Sequence, residues 1–106
     1  MYEVHLIRWA GPGEPNENAI RKLLDGEALS YYAWGNEPLD TYAAHTHPYH
    51  KVLYVIQGSI TFHLPQSGQS LTLRPGDRLE LPAGTIHSAT VGIEGVQCLE
   101  AHLQAG

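Results

Sequence analysis

Short runs in which apolar and polar residues alternate fill most of the chain, and such runs predict β-strands. The first places Tyr2, Val4 and Leu6 on one face. Eight more follow from Ala28 onward: "LSYYAW", "DTYAAHTH", "VLYVI", "SITFHL", "SLTL", "DRLEL", "HSATV" and "VQCLEAHL". Most are separated by the turn signals "GNEP", "QG", "PQSGQ", "RPG", "PAG" and "GIEG". Short strands at this spacing predict an all-β sandwich or barrel, and their number favours a barrel.

One segment near the N-terminus has the period of a helix instead. Its apolar positions form one stripe, made by Ala19, Ile20, Leu23 and Leu24. Asn16 is a suitable N-terminal cap and Gly26 a suitable stop. We therefore predict one short helix from Asn16 to Asp25, packed on the outside of the barrel.

Composition limits the possible classes of protein. With 106 residues, of which 42% are hydrophobic, the chain predicts a single domain over residues 1–106. The formal net charge of −5 and the lack of a basic stripe argue against a nucleic-acid partner. No apolar run reaches the ~18 residues of a membrane span, and no signal peptide is evident, so a cytoplasmic protein without a membrane partner is predicted. Cys98 is the only cysteine, which excludes an intrachain disulfide, and it is expected to be an inert strand residue.

The stretch "HTHPYHK" contains the side chains best suited to bind a metal ion or to take part in a reaction. Two histidines one residue apart on a strand point to the same face and can hold a metal ion together. Lys51 brings a positive charge to the same place. From these residues alone the stretch is a metal site, a metal site that has lost a ligand, or a pocket that only looks like one.

The spacing of this stretch and of a later one resembles the two motifs of the cupin family, G(X)5HXH(X)3,4E(X)6G and G(X)5PXG(X)2H(X)3N. The matching positions here are His45, His47, Lys51 and Gly58, and later Gly76, Pro82, Gly84 and His87. The resemblance runs from Leu39 to Val91, about half of the chain. Leu39 and Val91 replace the outer glycine and asparagine of the motifs, which sit at turns or edges in the family. Lys51 replaces the metal-binding glutamate.

The resemblance implies an antiparallel cupin barrel, a double-stranded β-helix or jelly roll. It also implies one divalent transition metal inside the barrel, with His45, His47 and His87 as its ligands. Three imidazoles suit Zn, Fe, Ni, Mn or Cu better than Mg or Ca, which prefer oxygen. Cupins commonly pair through an N-terminal strand, so the unpaired strand "YEVHLI" predicts a homodimer.

Lys51 has two readings. Its ammonium group could weaken the metal site yet hold a substrate carboxylate or stabilise an enolate, which makes Lys51 the candidate catalytic residue. Alternatively it pairs with an acidic group and does no chemistry; the candidates are Asp40, Glu80 and Glu100.

The remaining candidates carry weaker signals. The histidines at positions 5, 63 and 102 are expected to be surface or hydrogen-bonded core residues, and His50 is expected at the mouth of the barrel. An aromatic wall is predicted for a pocket, from Tyr31, Tyr32, Trp34, Tyr42, Tyr49 and Tyr54. Two functions follow: a metal-dependent oxygenase, lyase or isomerase acting on a small organic molecule, or a non-catalytic module that binds a small ligand or has a regulatory role.

Overall fold

The computed structural model describes residues 3–105, and this part of the chain contains one helix and seven strands. In chain order the elements are β1 (His5–Ile7), α1 (Glu17–Gly26), β2 (Tyr31–Asn36), β3 (Thr41–His45), β4 (Tyr49–Leu64), β5 (Gln69–Leu73), β6 (Arg78–Leu81) and β7 (His87–Gln104). Every strand pairing is antiparallel. The predicted all-β class with one short helix is confirmed.

Two long strands organise the barrel. β4 and β7 pair with each other over almost their whole length, from Tyr49 opposite Gln104 to His63 opposite Ser88. The strand order is β1-β6-β4-β7-β2, while β3 pairs with β7 and β5 pairs with β4. The two halves of β4 and β7 therefore take different neighbours, and the sheet curls into an antiparallel barrel.

The signals "QG" and "GIEG" were predicted to be turns, and this prediction is wrong. Gly58 and Gly95 lie inside β4 and β7, at positive φ angles of 77° and 78°. The pairing register shifts on both sides of Gly58, between Val55 and Gln57 and between Gly58 and Ile60. A glycine at positive φ lets a strand bulge and bend without ending. Each glycine therefore bends a continuous strand where a turn was expected.

Replacing Gly58 by alanine is expected to destabilise the protein by roughly 2–3 kcal/mol, because L-residues resist this φ and the new methyl group meets backbone. A Cβ at this position would lie 2.0 Å from the carbonyl oxygen of Gly95. Gly68→Ala is the matched control, since Gly68 has a φ of 72° but no atom within 4 Å of the added Cβ. Urea unfolding measures both variants, and equal losses would contradict the close-approach argument.

The helix begins as predicted and ends slightly later. The Asn16 side chain accepts a hydrogen bond from the Ala19 amide at 2.9 Å, which confirms the cap. Gly26 is still helical, and the chain leaves the helix through Ala28 at a φ of 58°. Ile20 and Leu24 are fully buried and belong to a cluster with side chains of the strands: Val52, Tyr54, Leu99 and Ala101. The helix therefore covers the outer face of β4 and β7.

The strands beneath the helix are buried on both faces. In β4, Leu53 and Val55 belong to the core inside the barrel, whereas Val52 and Tyr54 face the helix. Successive side chains on a strand point to opposite faces, so Lys51 shares the inner face with Leu53. By the same alternation Glu100 shares the inner face of β7 with Cys98. Two charged residues thus point into the barrel.

The two other departures from the cupin motifs have different physical settings. Leu39 lies at a φ of 66°, in the region that favours glycine, and its side chain is exposed. Val91 is fully buried in the core of β7 rather than at a turn or an edge. The turn expectation therefore fits Leu39, and it is wrong for Val91.

The N-terminal strand has a partner within the chain. His5, Leu6 and Ile7 of β1 pair with residues 78–80 of β6, and β1 ends the strand order. Tyr2, which was predicted to share its face, lies outside the described residues. The homodimer stays a prediction, and its premise of an unpaired strand now applies only to the outer edge of β1. Within residues 3–105, the single helix is too short to cross a bilayer.

Candidate functional site

Three histidines come together inside the barrel. One ring nitrogen from each of His45, His47 and His87 lies within 4.8 Å of those of the other two. The ring centroids are 4.3 Å apart for His45 and His87, 4.7 Å for His45 and His47, and 5.2 Å for His47 and His87. The predicted convergence of these side chains is therefore observed.

Backbone hydrogen bonds join the two motifs that supply the histidines. His45, the last residue of β3, is the register partner of His87, the first residue of β7. His47 lies beyond β3, so the predicted strand through this residue ends two positions early. Its carbonyl oxygen accepts a hydrogen bond from the Gly84 amide at 2.8 Å. The "PAG" turn is thereby fixed against His47, and the turn delivers His87 to the same point.

Hydrogen bonds also determine which ring nitrogens are available. The Nδ1 atom of His45 lies 2.6 Å from the Ala43 carbonyl oxygen, and that of His87 lies 2.9 Å from the Thr85 carbonyl oxygen. A carbonyl can only accept, so each Nδ1 carries the proton and each neutral ring keeps a lone pair on Nε2. The same arrangement orients histidines that bind metals.

The inner nitrogen of His87 has no protein partner. His87 is 1% exposed, and its Nε2 atom makes no hydrogen bond to any group within residues 3–105. A buried polar atom without a partner is costly and uncommon in folded proteins. Since this atom is a lone-pair donor beside two other imidazoles, the donor set fits a cation such as a divalent transition metal.

The surroundings keep two of the three imidazoles neutral. Burial is the main cause that lowers the pKa of His47 to about 4, and the positive charge of Lys51 adds to it. Burial also lowers the pKa of His87, with a further contribution from Lys51 that the hydrogen bond to Thr85 opposes. Neutral imidazole is the form that binds metals, so both residues are in the ligating form at neutral pH.

The metal-free protein is expected to lose stability as the pH falls from about 6.5 to about 4. In that window the unfolded chain protonates His47 but the folded chain does not, so protons favour unfolding. The loss from His47 is at most about 3 kcal/mol, less whatever water screens, and it is absent above the ordinary histidine pKa. Thermal unfolding with a chelator at several pH values measures this loss. His47→Ala, the matched variant, should show a flatter profile, and identical profiles would contradict the assignment.

Lys51 is buried in this site, and it pairs with one of the three acidic residues considered. Its ammonium nitrogen lies 3.6 Å from Oε1 of Glu100, and the two residues are 8% and 3% exposed. Glu80 instead contacts Arg78 and His5, and the side chain of Asp40 accepts a hydrogen bond from the Glu37 amide. The ion pair with Glu100 is therefore the one that forms.

Glu100 is the residue of this site that the sequence indicated least clearly, because it was one of three acidic residues that could pair with Lys51. Its Oε1 accepts a hydrogen bond from Trp34 Nε1 at 3.0 Å, and its Oε2 accepts one from the Tyr32 hydroxyl at 2.7 Å. His102 Nε2 lies 2.5 Å from the same Oε2 atom. Lys51 and the hydrogen bonds from Tyr32 and His102 lower the pKa of Glu100 against the effect of burial. One signal existed: a glutamate inside the apolar run "VQCLEAHL" must have partners.

A pocket of about 310 Å³ opens above these residues. Its walls include the three histidines, Lys51 and Glu100, and four of the six predicted aromatic residues: Tyr32, Trp34, Tyr42 and Tyr49. The prediction is wrong for Tyr31 and Tyr54, which pack in the cluster beneath the helix. Apolar side chains from Ile60, Phe62 and Ala89 complete the floor.

The other histidines and the cysteine have structural settings. The ring nitrogens of His63 lie 3.0 and 3.2 Å from the hydroxyls of Ser70 and Thr90. His50 Nδ1 accepts a hydrogen bond from the Ala83 amide at 2.9 Å, so this residue holds the "PAG" turn and does not join the three-histidine cluster. Cys98 is fully buried, which raises the pKa of its thiol to about 12 and fits the predicted inert role.

Comparisons with known proteins identify the family. A family model described as a cupin domain matches residues 35–95, more than half of the chain. Quercetin 2,3-dioxygenase from Bacillus subtilis (strain 168) is 35% identical over 71 residues, which cover 66% of this chain and 20% of that protein. The chain thus spans a fifth of the length of this curated relative.

Solved structures show the same fold. A cupin superfamily protein from Desulfitobacterium hafniense DCB-2 matches 98% of this chain and 80% of its own, with a TM-score of 0.63 and 15% identity. The polyketide cyclase RemF from Streptomyces resistomycificus matches 72% of this chain and 55% of its own, with a TM-score of 0.63 and 23% identity. At these identities the likeness concerns the barrel alone.

Proposed function

This chain belongs to the cupin family, and we propose that it binds one divalent transition metal through His45, His47 and His87. The proposal includes a small organic molecule that occupies the pocket beside the metal. The observation that carries it is the buried Nε2 atom of His87, which has no hydrogen-bond partner in the described chain and faces two further imidazoles.

The chemistry of the donor set supports a transition metal. Three neutral nitrogen ligands suit Zn, Fe, Ni, Mn or Cu, and they leave coordination positions for a small molecule. Glu100 does not complete the set, because Trp34, Tyr32, His102 and Lys51 surround both of its carboxylate oxygens. A metal held this way supplies Lewis-acid or oxygen-binding chemistry when it is present.

The residues around the histidines would bind and orient the organic molecule. Phe62, Ile60 and Ala89 give the pocket an apolar floor that excludes water, and Trp34 and Tyr42 stand on one wall. Lys51 places a positive charge among these side chains. This arrangement supports a metal-dependent oxygenase, lyase or isomerase. The naming of one relative as a dioxygenase is consistent with that choice.

A module that binds a ligand without turnover is the second candidate. One observation favours it: the position of the metal-binding glutamate in the cupin motif is held by Lys51, whose charge is buried and paired. Such a module would keep the pocket and the metal, and it would release the bound molecule unchanged.

The decisive experiment is elemental analysis of untagged protein, followed by calorimetric titration of the chelator-treated protein with zinc. We expect one bound metal per chain and a rise in the unfolding temperature on adding zinc. Binding of no divalent metal among zinc, iron(II), nickel, manganese and copper would overturn the proposal. Incubation of the metal-loaded protein with candidate substrates then separates the enzyme from the binding module.

A further inference from the structure

Lys51 lines the pocket beside the three histidines. Its side chain stands on the inner face of β4 between Tyr49 and Leu53, and it forms part of the same pocket wall as the three histidines. A molecule bound at the cluster would lie beside the positive charge of Lys51.

The partner of Lys51 balances its charge but lies beyond hydrogen-bond distance. The separation of 3.6 Å from Glu100 is an ion pair beyond hydrogen-bond distance. Both carboxylate oxygens of Glu100 already accept shorter hydrogen bonds, from Trp34 and from Tyr32. No other acidic side chain within residues 3–105 makes an ion pair with Lys51. An ammonium group has three N–H donors, so the protein supplies this buried cation with charge but with few acceptors.

The charges of the pocket favour an anionic guest. Lys51 and Glu100 form an ion pair, so their charges cancel. A divalent metal on the histidines would therefore leave the pocket with a net charge of about +2, whereas a glutamate ligand in place of Lys51 would lower it. A carboxylate bound between the metal and Lys51 would reduce this charge and accept hydrogen bonds from the ammonium group.

The remaining pocket walls indicate the chemistry of the rest of the ligand, beyond its anionic group. The floor is apolar, with Phe62 and Ile60, and the aromatic rings of Trp34 and Tyr42 face the same space of about 310 Å³. A compact apolar or aromatic body fits such walls better than a polyhydroxylated one, whose hydroxyls would lack partners there.

We propose that Lys51 is a specificity-determining residue that selects a small carboxylate with an apolar or aromatic body, by binding one carboxylate oxygen beside the three-histidine site. This inference rests on the proposed function for the metal, but the contact with Lys51 does not require it. Lys51 is then a ligand-binding residue at the position where the cupin motif has a metal-binding glutamate.

Benzoate and benzamide, which have the same shape and differ in charge, are the probes for this proposal. Calorimetry with the zinc-loaded protein should give a dissociation constant for benzoate about tenfold or more below that for benzamide. Lys51→Met should reduce this preference, because benzoate loses a charge-assisted hydrogen bond and benzamide loses at most a weaker one. Lys51→Arg should keep much of it, because arginine also binds carboxylates.

The same titrations in the metal-free protein separate this inference from the proposed function. If zinc does not bind, the proposed function fails, and a benzoate preference that depends on Lys51 in the metal-free protein still supports the inference. Because Lys51→Met leaves the Glu100 carboxylate buried without its cation, the double variant Lys51→Met/Glu100→Gln serves where the single variant unfolds. Equal preference for benzoate in wild type and in a folded Lys51→Met variant, with or without zinc, would overturn the proposal.

Discussion

Replacing His47 by alanine is expected to weaken zinc binding by about 100-fold or more, because two imidazoles remain where three converge. His47 is well suited to this test, since it lies in the connection between β3 and β4 and is not part of a strand. One packing contact that the variant loses is the stacking of this ring on Tyr49, with centroids 4.8 Å apart. Isothermal titration with zinc at pH 7.5 measures the change.

His5→Ala is the matched control for this experiment. His5 has a half-exposed side chain on β1, and the cluster of metal-ligating groups does not include it. Its removal should leave zinc affinity unchanged within about twofold, as expected for a surface substitution. Zinc affinity that falls equally in both variants, or in neither, would contradict the assignment of His47 as a ligand.

The parts of this molecule that the sequence predicts well are those that depend on backbone geometry. The resemblance of "HTHPYHK" and of the later Gly76, Pro82, Gly84 and His87 to the cupin motifs implied that three histidines converge, and turns of fixed shape support this because they return a strand to a fixed point. The structure shows the reason in one hydrogen bond, from the Gly84 amide to the His47 carbonyl. Asn16 is a similar case, since a helix cap acts within three residues.

Long-range contacts are the part that the sequence does not determine. Whether "QG" ends a strand or bends it depends on the approach of Gly58 to Gly95, which are 37 positions apart. The partner of Lys51 posed the same difficulty. Three acidic residues qualified by charge, and only the pairing of β4 with β7 brings Glu100 within 3.6 Å of the ammonium group. Side-chain alternation fixes the face of a residue, but only the register fixes its neighbour.

The buried ion pair changes what a lysine-to-glutamate substitution should do. From the sequence, Lys51→Glu removes a positive charge and adds a carboxylate ligand, so metal affinity should simply rise. In the structure the new carboxylate also lies beside Glu100, which is 3% exposed and loses its cation. Two carboxylates would then share one buried space without a cation between them, and like charges at such distances repel strongly.

We therefore expect Lys51→Glu to lower the stability of the metal-free protein by roughly 3–5 kcal/mol, as for other broken buried ion pairs. Zinc affinity should rise at the same time, by roughly 3 kcal/mol or more, because a charge that repels the ion is replaced by one that attracts it. The variant should consequently be much more dependent on zinc for its stability than wild type. Chemical unfolding with zinc and with a chelator measures both effects.

The double variant Lys51→Glu/Glu100→Gln isolates the cause. Its glutamine keeps the shape of Glu100 and an oxygen that can accept from Trp34 or Tyr32, while the repulsion between carboxylates disappears. Stability without metal should recover most of the loss, and the gain in zinc affinity should remain. If the double variant stays as unstable as Lys51→Glu, repulsion by Glu100 is not the cause of the loss. If neither variant binds zinc more tightly than wild type, the side chain at position 51 does not reach the metal, and the three histidines alone set the affinity.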